Sequence, residues 1–197
     1  MEDLDLATRA GLPDALRVLL AERPREGWTD DPHFDGLVRF WLDRHLKFRD
    51  LLGRMQAEAR GFIDGAADAR PYARSLSQSA STFLTELSGH HRIEDLHYFP
   101  ELSAKDRRLE RGFAMLDADH HALDGWLSRF ADAANAALGA APGPDAPSGL
   151  DDAGRMRDAV GELEEELARL SPLLNRHLAD EEELIVPVIL LFGGGHG

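Results

Sequence analysis

Four long segments of the chain each carry a stripe of mostly apolar residues that recur at alternating steps of four and three. On an α-helix this spacing aligns residues along one face, as in helices that pack side by side. No segment shows the apolar and polar alternation that is typical of strands. The sequence therefore predicts an all-α fold, an up-down-up-down four-helix bundle with a short extra N-terminal helix. The stripes are Phe34, Val38, Trp41, His45, Phe48, Leu52 and Met55; Leu76, Ala80, Phe83, Leu87, His90, Glu94 and His97; Leu109, Phe113, Leu116, His120, Leu123, Leu127 and Phe130; and Met156, Val160, Leu163, Leu167, Leu170, Leu174, His177, Glu181 and Leu184.

Capping residues, glycines and prolines set the expected ends of these helices. We expect the short helix over residues 12–22 and long helices over residues 29–59, 71–100, 105–138 and 151–183. The first long helix has cap candidates at Thr29, Asp30 and Asp31, and proline at Pro172 is expected to kink the last one. The apolar run at residues 184–192, after the last predicted helix, is expected to be a helix end packed on the core. The glycine- and proline-rich run at residues 139–149 is typical of a flexible loop.

Each stripe is interrupted by ionisable residues at positions that should be buried. Burying an imidazole or a carboxylate without a partner costs several kcal/mol, whereas a domain is stable by only about 5–15 kcal/mol. A histidine four residues before a glutamate lies on the same helix face, about 6 Å away along the axis. These residues therefore predict a metal site, and a polar network satisfied by itself and by water is the alternative. The predicted ligands are His45, His90, Glu94, His120, His177 and Glu181.

Other polar residues near these positions are weighed separately. His97 continues its stripe and could ligate metal or orient Glu94, and Asp124 could ligate or hydrogen-bond a ligand. His91 points about 100° away from His90, so we expect it at a helix interface or on the surface, with ligation as the alternative. The remaining polar neighbours are expected to be exposed: His33, His121, Glu182, Glu183 and His196.

The donor atoms narrow the choice of metal. The chain has no cysteine, which excludes disulfides, thiolate metal sites and cysteine nucleophiles. Imidazole together with carboxylate suits iron, manganese or zinc, and two facing carboxylates favour a dinuclear site over a single ion. Iron is the first choice.

Four motifs surround the candidate histidines: RHLKFRDLL around His45, HHRIEDLHYFPEL around His90, DADHHALDGWL around His120, and LNRHLADEEELIVP around His177. Together and in this order, they resemble the motifs of the hemerythrin-like proteins with the HHE cation-binding domain. The resemblance covers residues 31–188 and implies a hemerythrin-like bundle over residues 31–192. From its own apolar pattern we expect the preceding part, residues 1–30, to form a helical brace or lid. The resemblance also implies a non-haem di-iron centre with one histidine from each long helix, in which Glu94 and Glu181 bridge two irons. We expect an oxo or hydroxo group between the irons, with manganese or zinc as alternatives to iron.

The resemblance implies a metal-binding protein rather than an enzyme, one that binds or senses oxygen, nitric oxide or a related small species. A di-iron enzyme acting on peroxide and an iron storage or delivery protein are the alternatives. Oxygen-carrying hemerythrins have a second histidine four residues after the one in the third long helix. This chain has Asp124 there, which argues against reversible oxygen carriage.

Composition excludes several other classes of function. The formal net charge of -14 opposes binding to nucleic-acid phosphates. The first ten residues lack the basic and apolar regions of a signal peptide, and no run approaches 18 apolar residues, so we expect a cytoplasmic protein without a membrane span. No glycine loop for nucleotides and no nucleophile elbow is present. The sequence leaves the oligomeric state open.

Overall fold

The computed structural model describes residues 4–34, 36–142 and 150–193 of the chain. These residues form helices and turns and contain no strand, which confirms the all-α prediction. The up-down-up-down order of the long helices stays a prediction. Most of the expected loop, residues 143–149, and His196 lie outside the described residues. No described helix is both long and apolar enough to cross a lipid bilayer.

The described residues form six α-helices. They are α1 (Val18–Glu22), α2 (Gly36–Ile63), α3 (Ala69–Ile93), α4 (Phe99–Ser103), α5 (Glu110–Gly139) and α6 (Leu150–Phe192). Short 3-10 turns at Asp14–Leu16, Arg25–Asp30 and Arg107–Leu109 precede α1, α2 and α5, and a π-helical turn at Glu94–Tyr98 joins α3 to α4. The four long helices are α2, α3, α5 and α6, as the stripes predict.

The start of the chain differs from its prediction. Instead of one helix over residues 12–22, a 3-10 turn at Asp14–Leu16 and the five-residue α1 are separated by Arg17. The apolar spacing itself is correct, since Leu16 and Leu19 are buried. Likewise α2 does not begin at Thr29. The residues before it form a 3-10 turn that buries Trp28, whose indole N–H donates to the Arg23 carbonyl over 2.8 Å.

The end of α2 lies four residues beyond the predicted one. Gly65 adopts a φ of +80°, a left-handed conformation that glycine adopts without steric cost. Its amide donates to the Phe62 carbonyl, and the Ala66 amide donates to the Gly61 carbonyl. This pair of hydrogen bonds is a Schellman motif, which closes the helix.

The π-helical turn changes which residues face inward after Glu94. A π turn has an extra residue, so the side chains that follow it rotate away from the stripe of the preceding α-helix. The Phe99 amide donates to the Glu94 carbonyl five residues earlier, and the Phe99 side chain is buried. His97 is exposed. The prediction that His97 continues the stripe is therefore wrong.

Helix α6 continues past its predicted end at Glu183 and runs through Pro187 to Phe192. Proline in a helix removes a hydrogen bond, and here burial on the core compensates for that loss. The residues from Leu184 to Leu190 are all buried, as expected for a helix end packed on the core. Gly193, with a φ of +77°, ends the helix. The kink at Pro172 stays a prediction.

The chain divides into two compact units. The first comprises Met1–Lys47, Gly89–Leu123 and Leu173–Gly197, and its core includes Trp28, Trp41 and the apolar end of α6. The second comprises Phe48–Ser88 and Asp124–Pro172. Its core contains edge-to-face rings, with centroids 6.4 Å apart for Phe48 and Phe83 and 5.8 Å apart for Phe83 and Phe130. All stripe residues are buried except the half-buried Phe34 and the exposed His97.

We expect Gly112→Ala to lower the free energy of unfolding and Gly125→Ala to raise it. Both glycines lie on α5, but a methyl group at Gly112 would come within 2.8 Å of Leu184 Cδ1, whereas no atom of the described residues lies within 4 Å of one at Gly125. Leu184 is 1% exposed, so it cannot move without disturbing the core. Overpacking costs typically about 1–3 kcal/mol, and alanine in place of helical glycine gains up to about 1 kcal/mol. Urea unfolding of the two variants and the parent measures the difference. Equal stabilisation by both substitutions would contradict the close packing of α5 on α6.

Candidate metal centre

Seven histidine and glutamate side chains of the first unit come together in two adjoining groups. Within each group, one nitrogen or oxygen atom per residue lies within 4.8 Å of every other. None of the seven residues is more than 8% exposed. One group is His91, His120 and His177, and the other is His45, His90, Glu94 and Glu181.

The two carboxylates reach both groups. Glu94 Oε1 lies 2.9 Å from His90 Nε2, and Glu94 Oε2 lies 3.6 Å from His120 Nε2. Glu181 Oε2 lies 3.5 Å from His45 Nε2 and 3.4 Å from His177 Nε2. Each glutamate is thus within reach of two imidazoles that belong to different groups.

Several atoms that face this cluster are buried without a hydrogen-bond partner among the described residues. They are Nε2 of His91, His120 and His177, both carboxylate oxygens of Glu94, and Oε2 of Glu181. An unsatisfied buried polar group costs about 1–3 kcal/mol, and more when it is charged. Imidazole nitrogens and carboxylate oxygens are donors that transition metals accept. The residues present therefore fit a bound cation.

The hemerythrin HHE cation binding domain is the family whose model matches this chain, over residues 36–189. The chain belongs to the hemerythrin family. The matched part contains all seven cluster residues, the whole of α2, α3 and α5 and all but the last three residues of α6, and it leaves the first 35 residues outside. Comparison with curated proteins and with solved structures finds no significant match.

The hemerythrin domain brings together all six residues that the sequence singles out, and their role as ligands stays a prediction. His91 joins them, contrary to the expectation of an interface or surface position. It is 5% exposed, and its ring stacks on that of His120 at a centroid distance of 4.0 Å. The paired histidines at positions 90 and 91 were the available signal. His90 and His91 both lie within α3, and each belongs to a different group of the cluster, so the cluster takes in two neighbouring directions of this helix.

The other residues considered at this site belong to neither group of the cluster. His97 and Asp124 are exposed and belong to neither group. The imidazole of His121 is 75% exposed, which confirms its prediction. Glu182, expected on the surface, is 2% exposed. That expectation is wrong because both Glu181 and Glu182 lie on a part of α6 that is covered on more than one side.

Three histidines of the cluster are held from behind by carboxylates. In each case the ring presents Nε2 to the cluster and Nδ1 to a carboxylate oxygen. A carboxylate at Nδ1 fixes the orientation and the tautomer of the ring and leaves Nε2 free to bind a metal. The pairs are His45 Nδ1 and Glu182 Oε1 at 3.1 Å, His120 Nδ1 and Asp95 Oδ1 at 2.7 Å, and His177 Nδ1 and Asp119 Oδ2 at 3.3 Å.

Sequence reasoning missed these three carboxylates, although a signal existed. Asp95, Asp119 and Glu182 each stand directly next to a predicted ligand in the chain. Each of them, however, holds the histidine of a different helix. Their partners depend on how the helices meet, so adjacency in sequence could mark them as candidates without saying which ring each would hold.

Trp41 orients the second glutamate. Its indole N–H donates to Glu181 Oε1 over 2.6 Å, which leaves Oε2 directed at the histidines. The Trp41 ring also meets the ring of Tyr98 edge-on at 4.8 Å and that of His90 at 6.0 Å. The position of Glu181 between His45 and His177 is therefore fixed by packing as well as by a hydrogen bond.

Burial keeps most of the metal-free cluster uncharged. Burial, with the charges of neighbouring imidazoles, lowers the pKa of His90 to about 3, that of His91 well below its usual value, and that of His120 as well. Burial, with the negative charge of Glu181, raises the pKa of Glu94 well above its usual value. These imidazoles are thus neutral at pH 7, the form that binds metals.

His45 and Glu181 form the charged pair of the metal-free cluster. Burial lowers the pKa of His45, but the charges and hydrogen bonds of Glu181 and Glu182 outweigh it and raise that pKa to about 9. Burial also raises the pKa of Glu181, and the charge of His45 and its hydrogen bond reverse this and hold that pKa well below its usual value. A metal cation would have to displace the proton of His45.

We expect the metal-free domain to be most stable near pH 6.5. Below that pH the unfolded chain protonates His90, His91 and His120, which the folded chain keeps neutral, while Glu94 holds one extra proton in the folded state. The unfolded state then binds more protons, so the free energy of unfolding falls by roughly 1–3 kcal/mol from pH 6.5 to 5.5. Above pH 6.5 the folded chain binds more protons, at Glu94 and at His45 up to about pH 9, so stability falls again.

Urea unfolding in the presence of a chelator measures this profile. His91→Gln should flatten its acid side, because one of the neutral imidazoles is removed. His121→Gln is the matched control on an exposed neighbour and should leave the profile unchanged. Constant stability between pH 5.5 and 6.5 would contradict the neutral state of the buried histidines.

Proposed function

We propose that this protein holds two iron ions in the cluster and uses them to bind or sense oxygen, nitric oxide or a related small species. The observation that carries the proposal is the set of unpartnered Nε2 and carboxylate atoms that face one another within the buried cluster. Their number and type match a dinuclear centre, and the hemerythrin family supports a bound cation.

The two groups supply the ligands of the two ions. His91, His120 and His177 would hold one ion, His45 and His90 the other, and Glu94 and Glu181 would bridge them. Five imidazoles and no thiolate favour iron or zinc over manganese, which prefers oxygen ligands. When bound, iron would supply redox chemistry and a coordination position for a small ligand.

The protein surroundings suit a resident metal and a small ligand. Every cluster residue is at most 8% exposed, so the site is closed to molecules of ordinary metabolite size. Carboxylates behind His45, His120 and His177 hold these rings in place, which favours retention over rapid release. These features favour gas binding or sensing over iron delivery. Peroxide is as small as these ligands, so a peroxide-decomposing enzyme is the second candidate.

We expect about two iron ions per chain after anaerobic loading with Fe(II) and removal of the excess. Elemental analysis with an ultraviolet-visible spectrum measures this. Glu94→Ala removes a carboxylate that reaches both groups, so it should lower the iron content, whereas Asp124→Ala, at an exposed site on α5, should not. No bound iron, manganese or zinc in the parent protein, or equal iron in both variants, would overturn the proposal.

Gas binding and peroxide turnover have different expected readouts. The reduced, iron-loaded protein should change its visible spectrum on addition of oxygen or nitric oxide, and Glu94→Ala should lose that change. No spectral change with either gas would reject the sensing role. Peroxide decomposition faster than that of Glu94→Ala at matched iron content would favour the enzyme instead.

A further inference from the structure

Residues outside the family match carry the strongest additional observation. The segment of residues 4–34 precedes the matched domain and places two arginines against carboxylates that hold cluster histidines. Arg9 reaches Asp119, the partner of His177, and Arg25 reaches Glu182, the partner of His45. Two series of contacts, each from an arginine through a carboxylate to a histidine, therefore connect this segment with the cluster.

Arg9 is the more deeply buried of the two arginines, at 7% exposure. Its Nη1 donates to Asp119 Oδ1 over 2.7 Å and its Nη2 donates to Asp119 Oδ2, so the two groups form a two-point contact. Asp119 Oδ2 is also the atom that faces His177 Nδ1. A guanidinium that donates to both carboxylate oxygens fixes the orientation of the carboxylate. That orientation in turn sets the direction of the His177 ring.

Further hydrogen bonds connect Arg9 and its neighbour Ala10 with α6. Its Nε donates to Asp180 Oδ2 over 2.7 Å, and Arg176 donates to Asp180 Oδ1 over 2.5 Å. Arg176 also donates to the Ala10 carbonyl over 3.1 Å. Arg9 and Arg176 thus balance the charges of two buried aspartates, and the charge balance depends on the N-terminal segment being docked.

Arg25 makes the corresponding contact on the other side of the cluster. Its Nη2 donates to Glu182 Oε2, while Oε1 of the same carboxylate faces His45 Nδ1 at 3.1 Å. The Arg25 guanidinium lies 4.9 Å from the ring centroid of Trp28, which is itself buried. The side chain of Arg25 is half exposed, so it can be replaced without opening the core.

We propose that the segment of residues 4–34 is a strap linked to metal binding, in which Arg9 and Arg25 act as positioning residues for His177 and His45. This inference rests on the proposed metal site. Because each arginine orients a carboxylate that orients a ligand, docking of the strap strengthens metal binding. By thermodynamic reciprocity, the bound metal must then stabilise the docked strap to the same extent.

The reciprocal effect is tested on the parent protein with Co(II) as the probe ion. Hydrogen exchange of the backbone amides in residues 4–34 reports local opening of the strap, which does not require the domain to unfold. We expect Co(II) to slow this exchange relative to the metal-free protein. If the strap and the metal are independent, the opening that exposes these amides is unaffected by Co(II).

The arginines are tested by Co(II) affinity, measured by competition with a chelator. Loss of a group that orients a metal ligand typically costs 10–100-fold in affinity, so Arg9→Gln and Arg25→Gln should each weaken binding on the order of tenfold or more. They should also shift the visible bands of bound Co(II), which report ligand geometry. Arg9→Lys keeps the charge without the two-point contact and should fall between Arg9→Gln and the parent.

Arg23→Gln is the matched control. Arg23 lies on the same strap, and its side chain pairs with Asp31 at 3.4 Å rather than with a carboxylate that holds a cluster histidine. It should leave affinity and spectrum at the parent values. If Arg9→Gln does not fold, Arg25→Gln and the exchange experiment decide.

The outcomes separate this inference from the proposed function. A parent protein that binds neither Co(II) nor Fe(II) overturns the metal site itself. Metal binding with parental affinity and spectra in Arg25→Gln and Arg9→Lys, together with strap exchange that ignores Co(II), overturns the strap and leaves the metal site standing. Weaker binding in the arginine variants with slower exchange in the loaded parent supports both.

Discussion

The burial of imidazole and carboxylate groups that the protein itself does not satisfy is the constraint on which this structure depends. Apolar packing supplies the free energy that keeps these groups out of water, and the cost of leaving them unpartnered would be several kcal/mol. The facing atoms of Glu94, His120 and His177 have no hydrogen-bond partner among the residues that the structure describes. A bound cation would accept electron pairs from all of them at once, and the hemerythrin HHE family is a cation-binding one.

Polar side chains surround these groups in successive layers. Histidines that face the cluster are held by carboxylates, and two of these carboxylates are in turn held by arginines of the N-terminal segment. Arg9 and Arg25 thus place a positive charge next to each of these two buried carboxylates. A buried carboxylate in contact with a metal ligand needs a fixed counter-charge if its orientation is to be maintained.

The sequence predicts the long helices and their inward faces well, and it fails where the helix departs from ideal geometry. The stripes in α2, α5 and α6 could be extrapolated because each residue there follows its predecessor by the same rotation. The π turn after Glu94 breaks this rule, which moves His97 to the surface and buries Phe99. Helix ends were misplaced for a related reason. The 3-10 turn that buries Trp28 and the continuation of α6 through Pro187 are both decided by contacts with distant residues, which local propensity does not contain.

The sequence by itself determines the helical class and the six candidate ligands His45, His90, Glu94, His120, His177 and Glu181, because the periodicity of a helix converts spacing directly into direction. Only the tertiary structure decides which groups support them. His91 stacks on His120 of α5, and Asp119 contacts His177 of α6. Arg9 lies 110 positions from Asp119 in the chain and still donates hydrogen bonds to its carboxylate. Such pairings depend on how separate segments pack, and the free energy that selects them comes from contacts between residues far apart in the sequence.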